Sequence, residues 1–267
     1  MPFAEINGAN IYYELAGAGD PLVFIHAGIA DSRMWDDQFE KFAQHYRVLR
    51  YDLRGFGQTD AKPMPFTHHE DLAALLTALG IERTALIGCS NGGRAAMNFA
   101  LDYPDRATAL VMVCSSPGGF KFDSEAPALW PEIVKAYDSG DWELTAKLEA
   151  QLWAVGPYRQ PEQVDAQIRN LVAEMDLIAL KKESAIKQEQ SMSPPAIERL
   201  GELHIPVLAV VGDVDSPVTL AAGTFIEQQI AGARQVMMRN TAHLPSMEHP
   251  DEFNRIVLDF LEAALSG

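Results

Sequence analysis

Short, almost unbroken apolar runs alternate with segments of helical spacing along most of this chain. Leu22-Val23-Phe24-Ile25, Thr84-Ala85-Leu86-Ile87, residues 107–114 and Val207-Leu208-Ala209-Val210-Val211 carry hardly a polar side chain, the pattern of strands buried on both faces of a sheet. Residues 46–51 and 234–238 read as further strands. Residues 4–7 and 11–15, parted by Asn7-Gly8-Ala9-Asn10, predict an antiparallel pair at the sheet edge. Helices fall between them. Thr67-His68-His69-Glu70 is a capping box, with Leu72, Leu75, Leu76 and Leu79 at helical spacing and Gly80 placed to stop the helix. Residues 94–103 form a second helical pattern ended by Pro104, and a third follows the loop 212–217 and runs to about Gln229. Phe253, Ile256, Val257, Phe260 and Leu261 mark one face of a closing helix. This alternation predicts the α/β class: an eight-stranded, mostly parallel sheet covered on both faces, with function at the C-terminal ends of the strands.

The alternation stops at residues 118–205. Only helical stretches occur there, at about 127–137, 141–154, 161–175 and 176–190. The interruption predicts a helical cap inserted over one end of the sheet, on a core of residues 1–117 and 206–267. Trp130, Trp142 and Trp153 fall inside it. They are expected first of all to form the insertion's own small core. The sharper alternative is pocket lining, with Trp130, Trp153 and Ile29 as candidates. Its cations Lys121, Lys135, Lys147, Arg159, Arg169, Lys181 and Lys182 belong mostly to solvated helix faces, with a substrate-carboxylate anchor as the sharper reading of one of them.

Gly88-Cys89-Ser90-Asn91-Gly92-Gly93 stands between an apolar strand and a helix. In this G-x-S-x-G pattern the glycines flanking the serine have a steric reason, since a side chain there would collide with the neighbouring strand or helix when the backbone reverses so sharply. Ser90 is forced into a strained conformation that points its hydroxyl outward, at a helix N-terminus whose amides favour negative charge. Cys89 should point into the core and be inert. A serine at its ordinary pKa is a weak nucleophile and needs an imidazole to take its proton; the imidazole in turn needs a carboxylate to fix its tautomer. Of the histidines, His26 and His243 follow strands at the right end of the sheet, as do Asp213 and Asp215. His45, His68, His69, His204 and His249 lie elsewhere.

Five stretches in this order resemble the α/β-hydrolase fold superfamily, and within it the esterase, lactonase and C–C hydrolase group with a variable helical cap. Residues 88–93 match the nucleophile elbow, His26-Ala27-Gly28 the oxyanion loop, and residues 52–58 the D-x-R-G-x-G loop. Gly212-Asp213-Val214-Asp215 matches the G-x-x-D acid, and residues 243–250 the histidine loop with Glu248 and Pro250. Ala27, where glycine is usual, and Asn91, where methionine is common, depart from the pattern without removing a backbone amide. The resemblance implies a triad of Ser90, His243 and Asp215, with Asp213 a solvated or loop-bonding neighbour. It implies an oxyanion hole from the Gly28 and Asn91 amides, and a supporting role for His26. Arg54 is expected to brace its loop. The implied activity is hydrolysis of a carboxylic ester or lactone through an acyl-enzyme, with no metal and no cofactor. The alternatives are C–C hydrolysis of ring-cleavage products and a slow-turnover ligand receptor on the same fold.

Charge narrows the partners. Lys and Arg number 21 against 37 Asp and Glu, a net charge of −16 over 267 residues, so the field repels nucleic acid and anionic membranes. Cys89 and Cys114 have no metal-ligand or disulfide-framework spacing. No basic and apolar leader opens the chain. The expectation is a cytoplasmic protein acting on a small-molecule substrate; oligomeric state is not legible.

Overall fold

The computed structural model describes residues 3–182 and 186–266. Its sheet has nine strands: β1 (Phe3–Ile6), β2 (Ala9–Ala16), β3 (Pro21–Ile25), β4 (Arg47–Tyr51), β5 (Asp60–Ala61), β6 (Thr84–Cys89), β7 (Ala107–Val113), β8 (Val207–Gly212) and β9 (Arg234–Met238). The order across it is β1-β2-β4-β3-β6-β7-β8-β9, with β5 pairing to β2. β1–β2 and β2–β4 are antiparallel, and every pair from β4 to β9 is parallel. The eight strands expected from the pattern are the eight of the main path. The ninth, β5, is two residues long, too short for any periodicity to register.

Side-chain alternation divides the core into two halves. Val23, Ile25, Leu86, Leu110, Met112 and Ala209 face one side, against α2 (His68–Ala78) and α3 (Asn91–Asp102). Leu22, Phe24, Ala85, Ile87, Val111, Val113, Leu208 and Val210 face the other, against α1 (Asp36–Phe42) and the closing helix (Pro250–Leu265). Each large side chain so buried contributes roughly 1.5–3 kcal/mol. The Thr67 hydroxyl accepts the Glu70 amide at 3.3 Å, and Gly80 at φ +65° ends the first turn beyond α2. Helix α1 has no strong apolar stripe in its sequence, Asp36-Asp37-Gln38-Phe39-Glu40-Lys41-Phe42, and the hydrophobic pattern did not signal it.

Between β7 and β8 the described residues form helices, turns and irregular loops, with one isolated β-bridge from Glu189 to Phe66 and no strand. α4 (Trp130–Asp138), α5 (Trp142–Ala150) and α6 (Ala166–Lys181) are the helices, and a single π-helical turn, Gln151–Val155, continues α5. The break expected between residues 175 and 176 is absent. Asp165, not Asp176, caps this segment by accepting the Gln167 amide at 2.7 Å, and α6 runs straight through. Of the helical stretch expected at 176–190, residues 183–185 lie outside the described residues, as do Met1, Pro2 and Gly267. Two further helices, α7 (Pro217–Gln229) and the short α8 (Pro245–Glu248), precede α9 (Pro250–Leu265). No described helix is long and apolar enough to cross a membrane.

Asp176 does other work. It is 2% exposed on α6 and hydrogen-bonds Glu149 on α5, and burial followed by the neighbouring carboxylate pushes its pKa up to about 9. Burial also raises Glu149. A carboxyl raised in this way binds its proton more tightly when folded, so its contribution to stability is complete below about pH 4 and is lost as pH rises towards 9. Asp176→Asn, which keeps the shape and removes the charge, should therefore raise Tm by a few degrees at pH 9 and hardly change it at pH 5. Thermal unfolding of both proteins across that range checks this, and parallel curves would refute it.

Candidate active site

The turn from β6 into α3 is too tight for side chains. A Cβ on Gly88 would run into the Gly92 carbonyl, one on Gly92 into the carbonyls of Ile25 and His26, and one on Gly93 to 2.6 Å from the Ser115 Cβ. Ser90 takes the whole reversal at φ 51°, ψ −113°, a strained conformation costing roughly 1–3 kcal/mol. Three hydrogen bonds hold it there: its amide to the Val113 carbonyl (2.8 Å), the Arg94 amide to its carbonyl (3.1 Å), and the Ser115 hydroxyl to the same carbonyl (2.6 Å). Ser115 had no motif to announce it.

The loops after β8 and β9 are stitched together. A Cβ on Gly212 would strike the carbonyls of Thr241 and Ala242, so these backbones touch. Val214 donates to Thr241 O at 3.1 Å, and Asp213 Oδ1 accepts the Asn240 amide at 2.6 Å. With Asp213 so employed, Asp215 faces the histidine. Its Oδ2 lies 2.7 Å from His243 Nδ1, while Oδ1 accepts the Ser216 amide at 2.6 Å. Both side chains are buried, at 1% and 6% exposure. The carboxylate fixes the ring with its Nδ1 protonated and Nε2 available as a base.

His26 contrasts with this. Its Nε2 accepts the Leu53 amide at 2.8 Å and its Nδ1 donates to Ala27 O at 2.8 Å, so neither nitrogen is left for chemistry. Burial lowers its pKa, and the neutral ring ties the loop after β3 to the loop after β4. Asp52 reinforces that loop by accepting the amides of Ser32 (2.8 Å) and Gln58 (2.7 Å). Arg54 is buried against Asp71 at 2.9 Å. Gly28 approaches the elbow closely enough that a Cβ on it would be 3.5 Å from that of Asn91, which makes the two backbones neighbours.

A cavity of about 610 Å³ opens over these groups. Ser90, Asp215 and His243 line it from the sheet, and Trp130, Leu152, Trp153 and Tyr158 from the helical segment. A depression of about 750 Å³ between Met64 and Arg106 is more open and touches none of the three. Trp130 and Trp153 thus line the cavity, the sharper alternative, where a small core of the insertion was the first expectation. Trp153 has a second role: its ring lies 4.7 Å from that of His243, and its carbonyl, in the π-helical turn, accepts the His243 amide at 3.3 Å. Trp142 instead packs edge-on against Tyr137 within the helical segment. Ile29 is not in the lining; it packs against the core half that holds Phe24 and Trp35. None of the cap cations considered as an anchor lines the cavity either. Arg159 is buried behind the histidine loop, paired with Glu248 at 2.7 Å and bonded to the carbonyls of Val155 and Asn240. The cation that does line the cavity is Arg94, four residues after Ser90.

Cys114 Sγ, a carboxylate oxygen of Asp215 and a ring nitrogen of His243 lie within 4.8 Å of one another, the one grouping of this kind among the described residues. Asp215 and His243 are already committed to each other, and burial holds the Cys114 thiol well above its ordinary value, so the set is a poor ligand sphere. Burial likewise raises Cys89, whose thiol points away from the cavity towards the His243 carbonyl at 3.6 Å.

A family model described as the alpha/beta hydrolase fold matches residues 20–250. The chain is 27% identical over 264 residues to the pimeloyl-[acyl-carrier protein] methyl ester esterase of Pectobacterium atrosepticum, covering 96% of this chain and 100% of that protein. It is 29% identical over 263 residues to the 2-hydroxy-6-oxo-6-phenylhexa-2,4-dienoate hydrolase of Comamonas testosteroni, with 94% and 91% covered. Among solved structures, the enol-lactonase from Burkholderia xenovorans LB400 superposes with a TM-score of 0.79 at 26% identity, covering 97% of this chain and 99% of that one. The esterase RhEst1 from Rhodococcus sp. ECU1013 superposes at 0.83 and 25%, with 99% and 100% covered.

Glu248 joins this geometry to stability. One of its oxygens accepts the Ala242 amide at 2.7 Å and the other meets Arg159, yet burial still pushes its carboxyl pKa upward. Glu248→Ala would leave a buried guanidinium without its counter-charge, at a cost of about 3–5 kcal/mol. Denaturant unfolding should show that loss, and Arg159→Met in the same chain should recover part of it. A loss under about 1 kcal/mol would mean that the pair contributes little.

Proposed function

This chain belongs to the alpha/beta hydrolase fold family, and we propose that it is a serine hydrolase cleaving a carboxylic ester or lactone through an acyl-enzyme on Ser90. The observation that carries the reading is the 2.7 Å link from Asp215 to His243 in the same cavity as a serine held at a strained elbow. The Ser90 hydroxyl adds to the substrate carbonyl as its proton passes to His243 Nε2. The resulting oxyanion is received by the Gly28 and Asn91 amides, each donor worth on the order of 3 kcal/mol in known cases. Collapse expels the alcohol, which takes the proton from His243. Water then attacks the acyl-enzyme, gives a proton to the same nitrogen, and releases the acid as Ser90 is reprotonated.

Residues 118–205 act as a cap that shapes the acyl and alcohol pockets, with Trp130 and Trp153 in its wall. The esterases and the lactonase among the relatives support ester chemistry. The Comamonas relative favours a second reading, C–C hydrolysis, which uses the same three side chains.

A panel of p-nitrophenyl esters and lactones tests the assignment. Ser90→Ala should lower turnover by several orders of magnitude while Tm stays equal or rises, because the strained residue gives up stability for activity. Hydrolysis at the wild-type rate would exclude Ser90 as the nucleophile.

The two aspartates can be separated on one ester. Loss of the orienting carboxylate costs about ten thousand-fold in a protease triad, so Asp215→Asn should lower kcat by at least about a hundred-fold. Asp213→Asn, which loses an acceptor for the Asn240 amide, should change kcat by less than about ten-fold. The reverse ranking would reassign the acid.

A further inference from the structure

Arg94 is the strongest unassigned feature of the cavity. It lies four residues beyond Ser90 on α3, about 6 Å along the helix at about 1.5 Å per residue, and its amide is bonded to the Ser90 carbonyl. It is exposed, and it lines the same cavity as Ser90 and His243. Among the described residues no carboxylate lies within ion-pair distance of its guanidinium. Its charge is felt by Glu189, whose carboxylate lies 3.6 Å from the Nε2 of a His68 ring that burial keeps neutral, so Glu189 is a nearby counter-charge without being a direct ion-pair partner. The acidic groups of the lining are Asp215, which is committed to His243 and Ser216, and Glu125, which is exposed on the segment leading to α4. The cap cations that could compete are engaged elsewhere, Arg159 with Glu248, Lys181 with Glu143 and Lys182 with Asp60.

A guanidinium beside a nucleophile with no direct ion-pair partner among the described residues is a recognition element for a carboxylate, which it binds through two parallel hydrogen bonds. The rest of the protein works against an anion, since the net charge of −16 repels one from the surface. Selection of an acidic substrate therefore has to be local. Resting on the ester-hydrolase reading above, we propose that Arg94 binds a carboxylate at the far end of the substrate. The preferred substrate class is then a carboxylate-bearing ester or lactone, such as the monoester of a dicarboxylic acid. Arg94 sets specificity and takes no part in bond cleavage.

The test uses two matched pairs. Mono-p-nitrophenyl glutarate against p-nitrophenyl pentanoate places the carboxylate on the acyl side, and 4-acetoxybenzoate against phenyl acetate places it on the alcohol side. A hydrogen-bonded charge pair of about 1.5–3 kcal/mol corresponds to roughly 10- to 150-fold. For at least one pair, Arg94→Gln should lower kcat/KM on the acid by about 30-fold or more, mainly through KM, and on the neutral ester by less than about three-fold. Arg94→Lys, which keeps the charge without the fork, should recover part of the loss, and Tm should be unchanged in both variants. Equal losses on acidic and neutral esters in both pairs would overturn the proposal, and would point to Glu125 or the helix as the partner of Arg94. Failure of the underlying reading looks different: wild type would hydrolyse no ester, or the activity would survive Ser90→Ala.

Discussion

The absence of room between the elbow and its neighbours is the constraint on which the rest of this structure depends. Three glycines at 88, 92 and 93 let α3 settle so close to β3 and β6 that no side chain fits between them. That contact fixes where the chain must reverse, and one residue has to take the reversal. Ser90 takes it in a region of backbone space that L-residues avoid. The same close approach brings the start of α3 beside the loop after β3, so that Gly28 and Asn91 become neighbours. A packing requirement in the core is thereby converted into an arrangement of polar groups at the surface of the sheet.

Two histidines then show how environment, not residue type, assigns chemistry. His26 and His243 both follow parallel strands at the same end of the sheet. His26 has a backbone partner on each nitrogen and is buried neutral. His243 has a carboxylate on one nitrogen and lines the cavity. The difference lies entirely in hydrogen bonds made by loops that are distant in sequence.

Local chemistry made much of this legible in the chain. The strands of the main path, the elbow glycines, the capping box at Thr67 and the ends of β8 and β9 all announce themselves through nearest neighbours or short periodicity. The choice of Asp215 over Asp213 needed the G-x-x-D spacing, and the structure gives its physical counterpart in the Asn240 amide that occupies Asp213. What the chain did not disclose is what depends on long-range packing. Helix α1 lacks an amphipathic stripe, α6 runs through Asp176 because its cap lies at Asp165, and Ile29 turns to the core. Arg159, one of seven cations of similar context in the sequence, is drawn inside by Glu248, some ninety residues further on in the chain. The π-helical turn at residues 151–155 follows a run of ordinary helix formers and leaves no sequence trace.

That turn and the residues after it have a bearing on how such proteins diversify. Gly156, at φ 84°, passes so near the acid and histidine loops that a Cβ would come within 2.8 Å of Ala242 and 2.9 Å of the Val214 carbonyl, and Arg159 follows it inward to Glu248. The helical segment is therefore not a detachable module resting on a finished site. Its middle is one wall of the socket that seats His243. Recombination that exchanged the whole insertion at its two chain crossings would exchange the upper lining of the cavity but strip that wall away. An inherited or engineered transplant keeps a working histidine only if the recipient's own residues 151–160 stay behind, which leaves the stretches on either side as the freely variable parts.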